Sequence, residues 1–137
     1  MVSVCFYFQV HQPFRLRKYS VFDIGTSHDY FDDHKNQQIM RKIANKCYLP
    51  TNQILLNIIK NTKGKFRISY SISGIALEQF ERYAPEVLAS FKVLAETGSV
   101  EFLNETYHHS LSWIFSKKRW NRLRQKAACR SLATTCI

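Results

Sequence analysis

From its first residues the chain alternates so that Val4, Phe6, Phe8 and Val10 share one face of an extended segment while Cys5, Tyr7, Gln9 and His11 share the other. Both faces stay largely apolar as far as Gln9, the pattern of a parallel strand covered on both sides, with Cys5 inside it. His11 then projects from the carboxyl end on the same face as Gln9, and Pro13, which has no amide hydrogen to offer a ladder, turns the chain into a loop. Residues 14–35 carry Tyr19, Phe22, Asp29, Tyr30, Phe31, Asp32 and Asp33 without sustained periodicity, which predicts a long functional loop. A helix is expected from Asn36 to Tyr48, broken at Leu49-Pro50 because proline lacks the donor and steers its predecessor away from helical geometry. A second helix starts at Pro50, with Ile54, Leu55, Ile58 and Ile59 as its buried stripe, and ends at Gly64.

Beyond it Phe66, Ile68, Tyr70 and Ile72 alternate with Arg67, Ser69, Ser71 and Ser73, a second strand that Gly74 closes. From Ile75 to Thr97 the apolar residues Leu77, Phe80, Val87, Leu88, Phe91 and Leu94 recur at helical spacing, with Pro85 restarting the helix and Gly98 stopping it. Residues 99–104 are short and apolar enough for a third strand that puts Glu101, Leu103 and Glu105 on one face. Strands alternating with helices call for an α/β fold of parallel strands joined by right-handed crossovers. The four glycines (Gly25, Gly64, Gly74, Gly98) form neither GxGxxG nor GxxxxGK[ST], so a nucleotide-binding doubly wound fold loses its main support.

Composition narrows the class. The 137 residues, 45% hydrophobic and 14% aromatic, are enough for one domain with a core. The net charge of +10 would by itself point to a polyanionic partner, but no acidic residue follows Glu105, and seven basic residues between Lys117 and Arg130 carry seven of those ten charges, leaving +3 before them. The excess belongs to the tail, and no nucleic-acid partner is expected; a basic binding module built on that tail is the competing reading, with salt-dependent retention on DNA or RNA as its mark. Cys5, Cys47, Cys129 and Cys136 show no CxxC pair, as in a reduced cytoplasmic chain. The apolar run to Val10 lacks a basic n-region and a cleavage site and is too short to span a bilayer, so no membrane association is expected.

Titratable side chains at the ends of buried parallel strands are where α/β barrels assemble active sites. His11 and Glu101 meet that description. A buried, satisfied histidine remains the alternative for His11, and an ordinary strand-end carboxylate the alternative for Glu101. Glycoside cleavage with retention needs two carboxyl groups about 5–5.5 Å apart. Glu101 and Glu105, four positions apart on an extended chain, are separated by ~13 Å and do not form that pair without a sharp turn. Neighbouring residues in extended chain point opposite ways, so neither His108-His109 nor Asp32-Asp33-His34 makes a metal cluster, and no metal is expected. Tyr19, Tyr107 and Trp113 have rings suited to stacking on sugars, although packing is the commoner use of such rings.

Several segments together carry a resemblance. His11-Gln12-Pro13, Val4 to Val10, Tyr30-Phe31-Asp32-Asp33, Asn36 to Asn52 and the run from Glu101 to Leu111 resemble the amino-terminal part of glycoside hydrolase family 57, the α-amylase-like enzymes. The similarity spans about residues 1–115; His108 stands where the family pattern has a tyrosine. The resemblance implies a parallel-stranded partial (β/α)7-type barrel, here about three βα units of an incomplete barrel. It also implies cytoplasmic α-glucan hydrolysis or transglycosylation with retention, and no required cofactor. His11 and Glu101 would line the sugar site, with Gln12 and His109 as further substrate-binding candidates. The catalytic nucleophile and acid/base lie in later motifs that these residues do not contain, so the chain alone is expected to be inactive. A metal-dependent carbohydrate deacetylase is the alternative from related barrels. Residues 116–137 depart from the family pattern as a basic segment that reads as out of frame, and the unpaired edge of a three-stranded sheet favours self-association.

Overall fold

The computed structural model describes residues 4–110. The tail from residue 116 and Trp113 lie outside the described residues. Three short strands form one parallel sheet in the order β1-β2-β3, with β1 at Phe6–Val10, β2 at Ile68–Ile72 and β3 at Val100–Leu103. Four helices, α1 (Asp33–Ile43), α2 (Leu49–Asn61), α3 (Gly74–Tyr83) and α4 (Pro85–Glu96), connect them. The α/β class, the parallel pairing and the element order all follow the hydrophobic pattern.

The alternation in each strand divides the sheet into two unlike faces. Phe8, Tyr70 and Phe102 lie in register on one face, with ring centroids 5.5 Å and 6.1 Å apart across the sheet. Tyr70 packs edge-on against Phe91 of α4 at 5.3 Å, and Val10, Ile68 and Tyr70 join the apolar helix residues in a single core. The opposite face carries Tyr7, Gln9, Ser69, Ser71, Glu101 and Leu103. None of these belongs to the core.

Covering β1 on both sides was therefore the wrong expectation. Only Val10 in β1 is buried, and Phe6 and Tyr7 are 44% and 52% exposed. The cause is position: among the described residues β1 is an outer strand, its helix-side phenylalanines meet the rings of Phe66 and Tyr70, and no second layer of helices or strands lies on its other face. Cys5, expected inside the strand, precedes it and is exposed with a free thiol.

Pro50 does not break the helix. Ala44–Tyr48 form a π turn between α1 and α2, with Leu49 N–H bonded to Ala44 C=O and right-handed helical backbone at Ile43, Tyr48 and Leu49. The wider turn carries the helical path past a residue that has no N–H to give. The stripe of α2 also differs from expectation: Leu55 and Ile59 are buried, but Ile54 is 59% exposed and Ile58 is exposed too. The helix is rotated to bury Asn52, whose amide donates to Ser90 Oγ at 2.8 Å and whose oxygen receives Tyr70 O–H at 3.4 Å. A buried amide must be hydrogen-bonded, and Asn52 is bonded through both its nitrogen and its oxygen.

Candidate functional site

The carboxyl ends of the three strands bring Gln9, His11, Ser71, Ser73, Glu105 and His109 together on the sheet face turned away from the helices. Ser73 follows β2, accepts the Ala76 N–H with its side chain as the cap of α3, and lies 2.8 Å from His11 Nδ1. One hydroxyl oxygen thus serves both the helix cap and the imidazole. Burial, followed by the neighbouring His109, pulls the His11 pKa below its ordinary value of 6.5, with Glu105 acting the opposite way. The neutral ring that this favours is the form that can accept from Ser73.

Glu105 is the hub of the cluster. Its side chain is 10% exposed and receives Ser71 O–H on Oε2 and Gln9 N–H on Oε1 at 3.0 Å, while His109 Nδ1 meets Oε1 as well. A carboxylate withdrawn from water needs such donors, and three converge on it. The His109 ring lies 4.8 Å from that of His11, tilted by 37°. His109 reaches this place with φ of 50°, a left-handed backbone conformation that costs a side-chain-bearing residue about 1–2 kcal/mol.

The turn that bears His109 is anchored from beneath. His109 N–H bonds to Thr106 C=O at 3.0 Å, Ser110 N–H to Thr106 Oγ1 at 2.7 Å, and Ile75 N–H to Tyr107 C=O at 3.1 Å. Tyr107 O–H donates to Glu78 Oε2 at 2.5 Å, and its ring lies so close to Gly74 that a Cβ there would come within 2.1 Å of it. The first turn of α3 thus supports both the His11 partner and the His109 turn.

The structure brings His11 and His109 together and leaves the other two sequence candidates elsewhere. Glu101 pairs in register with Ser69, and Ser69 with Tyr7, so it stands four positions below His11, ~13 Å along the strands. Its carboxylate accepts from Ser69 Oγ at 3.5 Å and borders a separate cleft of about 340 Å³ with Cys5, Arg67 and Ser99. Gln12 is buried; with its amide oxygen turned to Arg15 it accepts from both terminal guanidinium nitrogens at 2.6 and 2.9 Å, and its carbonyl receives Gln79 Nε2. It builds the loop behind the rim. His108 packs edge-on to Tyr107, away from His109, and Asp32, Asp33 and His34 diverge to a helix cap, to Tyr83 and Arg82, and to Gln38. Tyr19 packs against Tyr30 at 5.1 Å and reaches loop carbonyls, so it and Tyr107 serve packing.

Sequence reasoning missed Glu105, Ser71 and Ser73 as members of the His11 cluster, although each sits an even number of residues from a strand position facing the same way. Among the described residues no group of three or more His, Cys, Asp or Glu side chains is arranged to hold a metal ion, the arrangement a deacetylase of this kind requires. No helix there is long and apolar enough to cross a membrane.

The sequence profile of glycosyl hydrolase family 57 matches residues 5–128. The chain belongs to that family. A "Putative alpha-amylase" of Methanocaldococcus jannaschii is 42% identical over 114 residues, covering 82% of this chain and 24% of the relative. Among solved structures, the 4-alpha-glucanotransferase of Thermococcus litoralis superimposes with a TM-score of 0.50 at 19% identity, over 76% of this chain and 13% of the other. At that identity the superposition speaks for the fold, which places the three parallel strands within a larger family architecture. The family 57 chain described here spans about a quarter of its curated relative.

Proposed function

We propose that this family 57 chain is the amino-terminal part of a retaining α-glucan-processing glycoside hydrolase of α-amylase or 4-α-glucanotransferase type, within a (β/α)7-type barrel, and that the His11 rim receives a glucose unit. The observation that carries the reading is the imidazole of His11, its pKa drawn below 6.5 by burial, held at the carboxyl end of a parallel sheet beside His109 and a nine-tenths buried Glu105. Neutral donors and acceptors in a partly desolvated rim suit uncharged sugar hydroxyls. Free thiols at Cys5 and Cys47 accord with a cytoplasmic setting.

The same geometry supports binding without cleavage. Glu105 has its oxygens engaged by Ser71, Gln9 and His109, and Glu101 sits on Ser69, one same-face step further down β2, where it accepts from the Ser69 hydroxyl. The purified chain should bind maltoheptaose saturably and release no reducing ends, and His11→Ala should weaken binding roughly fivefold, about the worth of one hydrogen bond. Isothermal calorimetry with a reducing-end assay checks both. Glucan turnover would overturn the inactive half of the reading, and absence of binding the site itself.

A further inference from the structure

We propose that a second copy of this chain docks on the outer helix layer, with the apolar tip of its loop at residues 16–31 seated in the cleft between α2 and α4. The contact uses no member of the His11 cluster and stands apart from the glucan reading.

The loop is built to present its tip. Leu16 and Phe31 pair as an antiparallel bridge, Arg17 N–H bonds to Tyr30 C=O at 3.1 Å and Asp32 N–H to Arg15 C=O at 3.0 Å, so the base is a short ribbon. Further out, the Tyr19 hydroxyl reaches the carbonyls of Asp23 and Ser27, and Ser20 N–H donates to Asp23 Oδ2 at 2.7 Å. These polar groups serve the inside of the loop, and Val21, Phe22 and Ile24 are left 71%, 87% and 67% exposed. One apolar side chain in water is ordinary; three displayed together on a hydrogen-bonded loop mark a contact surface.

The cleft between α2 and α4 matches the tip in size. Leu49, Leu56 and Val93 line it beside the Asn52–Ser90 pair, and it holds about 300 Å³, where ~150 Å³ suffices for a benzene ring. Asn52 gives its amide hydrogen to Ser90, Ser90 gives its own to Val87 C=O at 2.7 Å, and Tyr70 serves the Asn52 oxygen. An apolar side chain entering the cleft therefore takes no hydrogen-bond partner away from them.

Charge decides the occupant. Residues 19–34 hold four aspartates and no lysine or arginine, with Asp23 and Asp29 nearest the tip, whereas residues 44–67 hold five basic side chains and no acidic one. Lys60 follows Leu56 by four positions on α2, Lys46 lies in the π turn before it, and Glu86 of α4 is already paired with Arg41 at 2.7 Å. An acidic tip and a basic-flanked cleft on one chain attract each other between copies, while tip on tip or cleft on cleft would oppose like charges. Phe22 brings roughly 150–250 Å² of surface and its neighbours less, so the contact stays below the ~1,000 Å² of a stable complex and the association is weak. Tip and cleft are different surfaces, so the contact is heterologous and each added copy leaves one of each free.

Sedimentation velocity of the full chain carrying Tyr7→Lys, which places a charge on the β1 edge, reads this contact separately from strand pairing. Concentration-dependent association should remain, and Phe22→Ser or Val93→Asp should each weaken it by roughly tenfold or more. An equimolar mixture of those two variants should form a one-to-one dimer and nothing longer, because one intact tip meets one intact cleft. Gln53→Glu, an exposed and nearly isosteric change that sets a negative charge at the cleft, should weaken association in the same direction and replaces Val93→Asp in the mixture if that variant fails to fold. A mixture that stays monomeric, cleft variants that associate as strongly as their parent, or a Tyr7→Lys chain that is monomeric at every concentration overturns the inference.

Discussion

Gly74 opens α3 where any side chain would run into the Tyr107 ring, 2.1 Å from an ideal Cβ. The neighbour is the body of an aromatic ring held by its hydroxyl on Glu78, so it has little room to give. Gly74→Ala should cost about 1–3 kcal/mol and lower the melting temperature by roughly 3–10 °C, with the His109 turn displaced; a thermal melt checks it. His11 gives a pH-dependent counterpart. Its folded pKa lies below the unfolded value of 6.5, chiefly through burial, so its contribution is fully present above that value and is lost as pH falls through the depressed folded value. The urea midpoint should be lower at about pH 5.5 than at about pH 7.5, and His11→Asn should reduce the difference. His11 was legible as a strand-end residue because the alternation of Gln9 and His11 fixes a face. Gln12 was not, because its partner Arg15 is chosen by a loop that carries no periodic signal.

Ser73 joins two elements through one hydroxyl, ending β2, capping α3 and meeting His11. Ser73→Ala should cost about 1–2 kcal/mol in urea unfolding and shift the His11 ring resonances by removing its Nδ1 partner, whereas Asp32→Ala, which removes a cap from α1 alone, should cost about 1 kcal/mol and leave those resonances unchanged. All three strands and four helices could be read from the chain, since periods of two and near four survive with few exceptions. The exceptions have physical causes. Pro50 signalled a break because a missing donor usually ends a helix, but a π turn before it absorbs the mismatch. Ile54 and Ile58 were assigned to the core by their apolarity, but α2 buries Leu55, Ile59 and a hydrogen-bonded Asn52 instead, a polar position that an apolar stripe does not reveal.

Seen as a whole, the described residues form a parallel sheet with unlike sides: helices seal one face, and mostly polar side chains line the other. Among the described residues both outer strands of the order β1-β2-β3 offer unpaired backbone groups, and β1 adds the exposed rings of Phe6 and Tyr7. In a closed or larger sheet those groups meet neighbouring strands; in a three-stranded sheet they are free to pair with another copy. Self-association in solution is the expected consequence, visible as concentration-dependent species in sedimentation velocity. Tyr7 faces the open side and is not part of the core, so Tyr7→Lys places a charge on the edge without removing a core contact. It should shift the distribution toward monomer and leave the melt of the helical core nearly unchanged. A wild-type chain that sediments as a single monomer up to high concentration would mean that this edge is already covered. The strand-end cluster of His11, Glu105 and His109 would then belong to a more enclosed site than the open rim drawn here, and maltoheptaose binding by the same sample would decide whether that enclosure still admits a sugar.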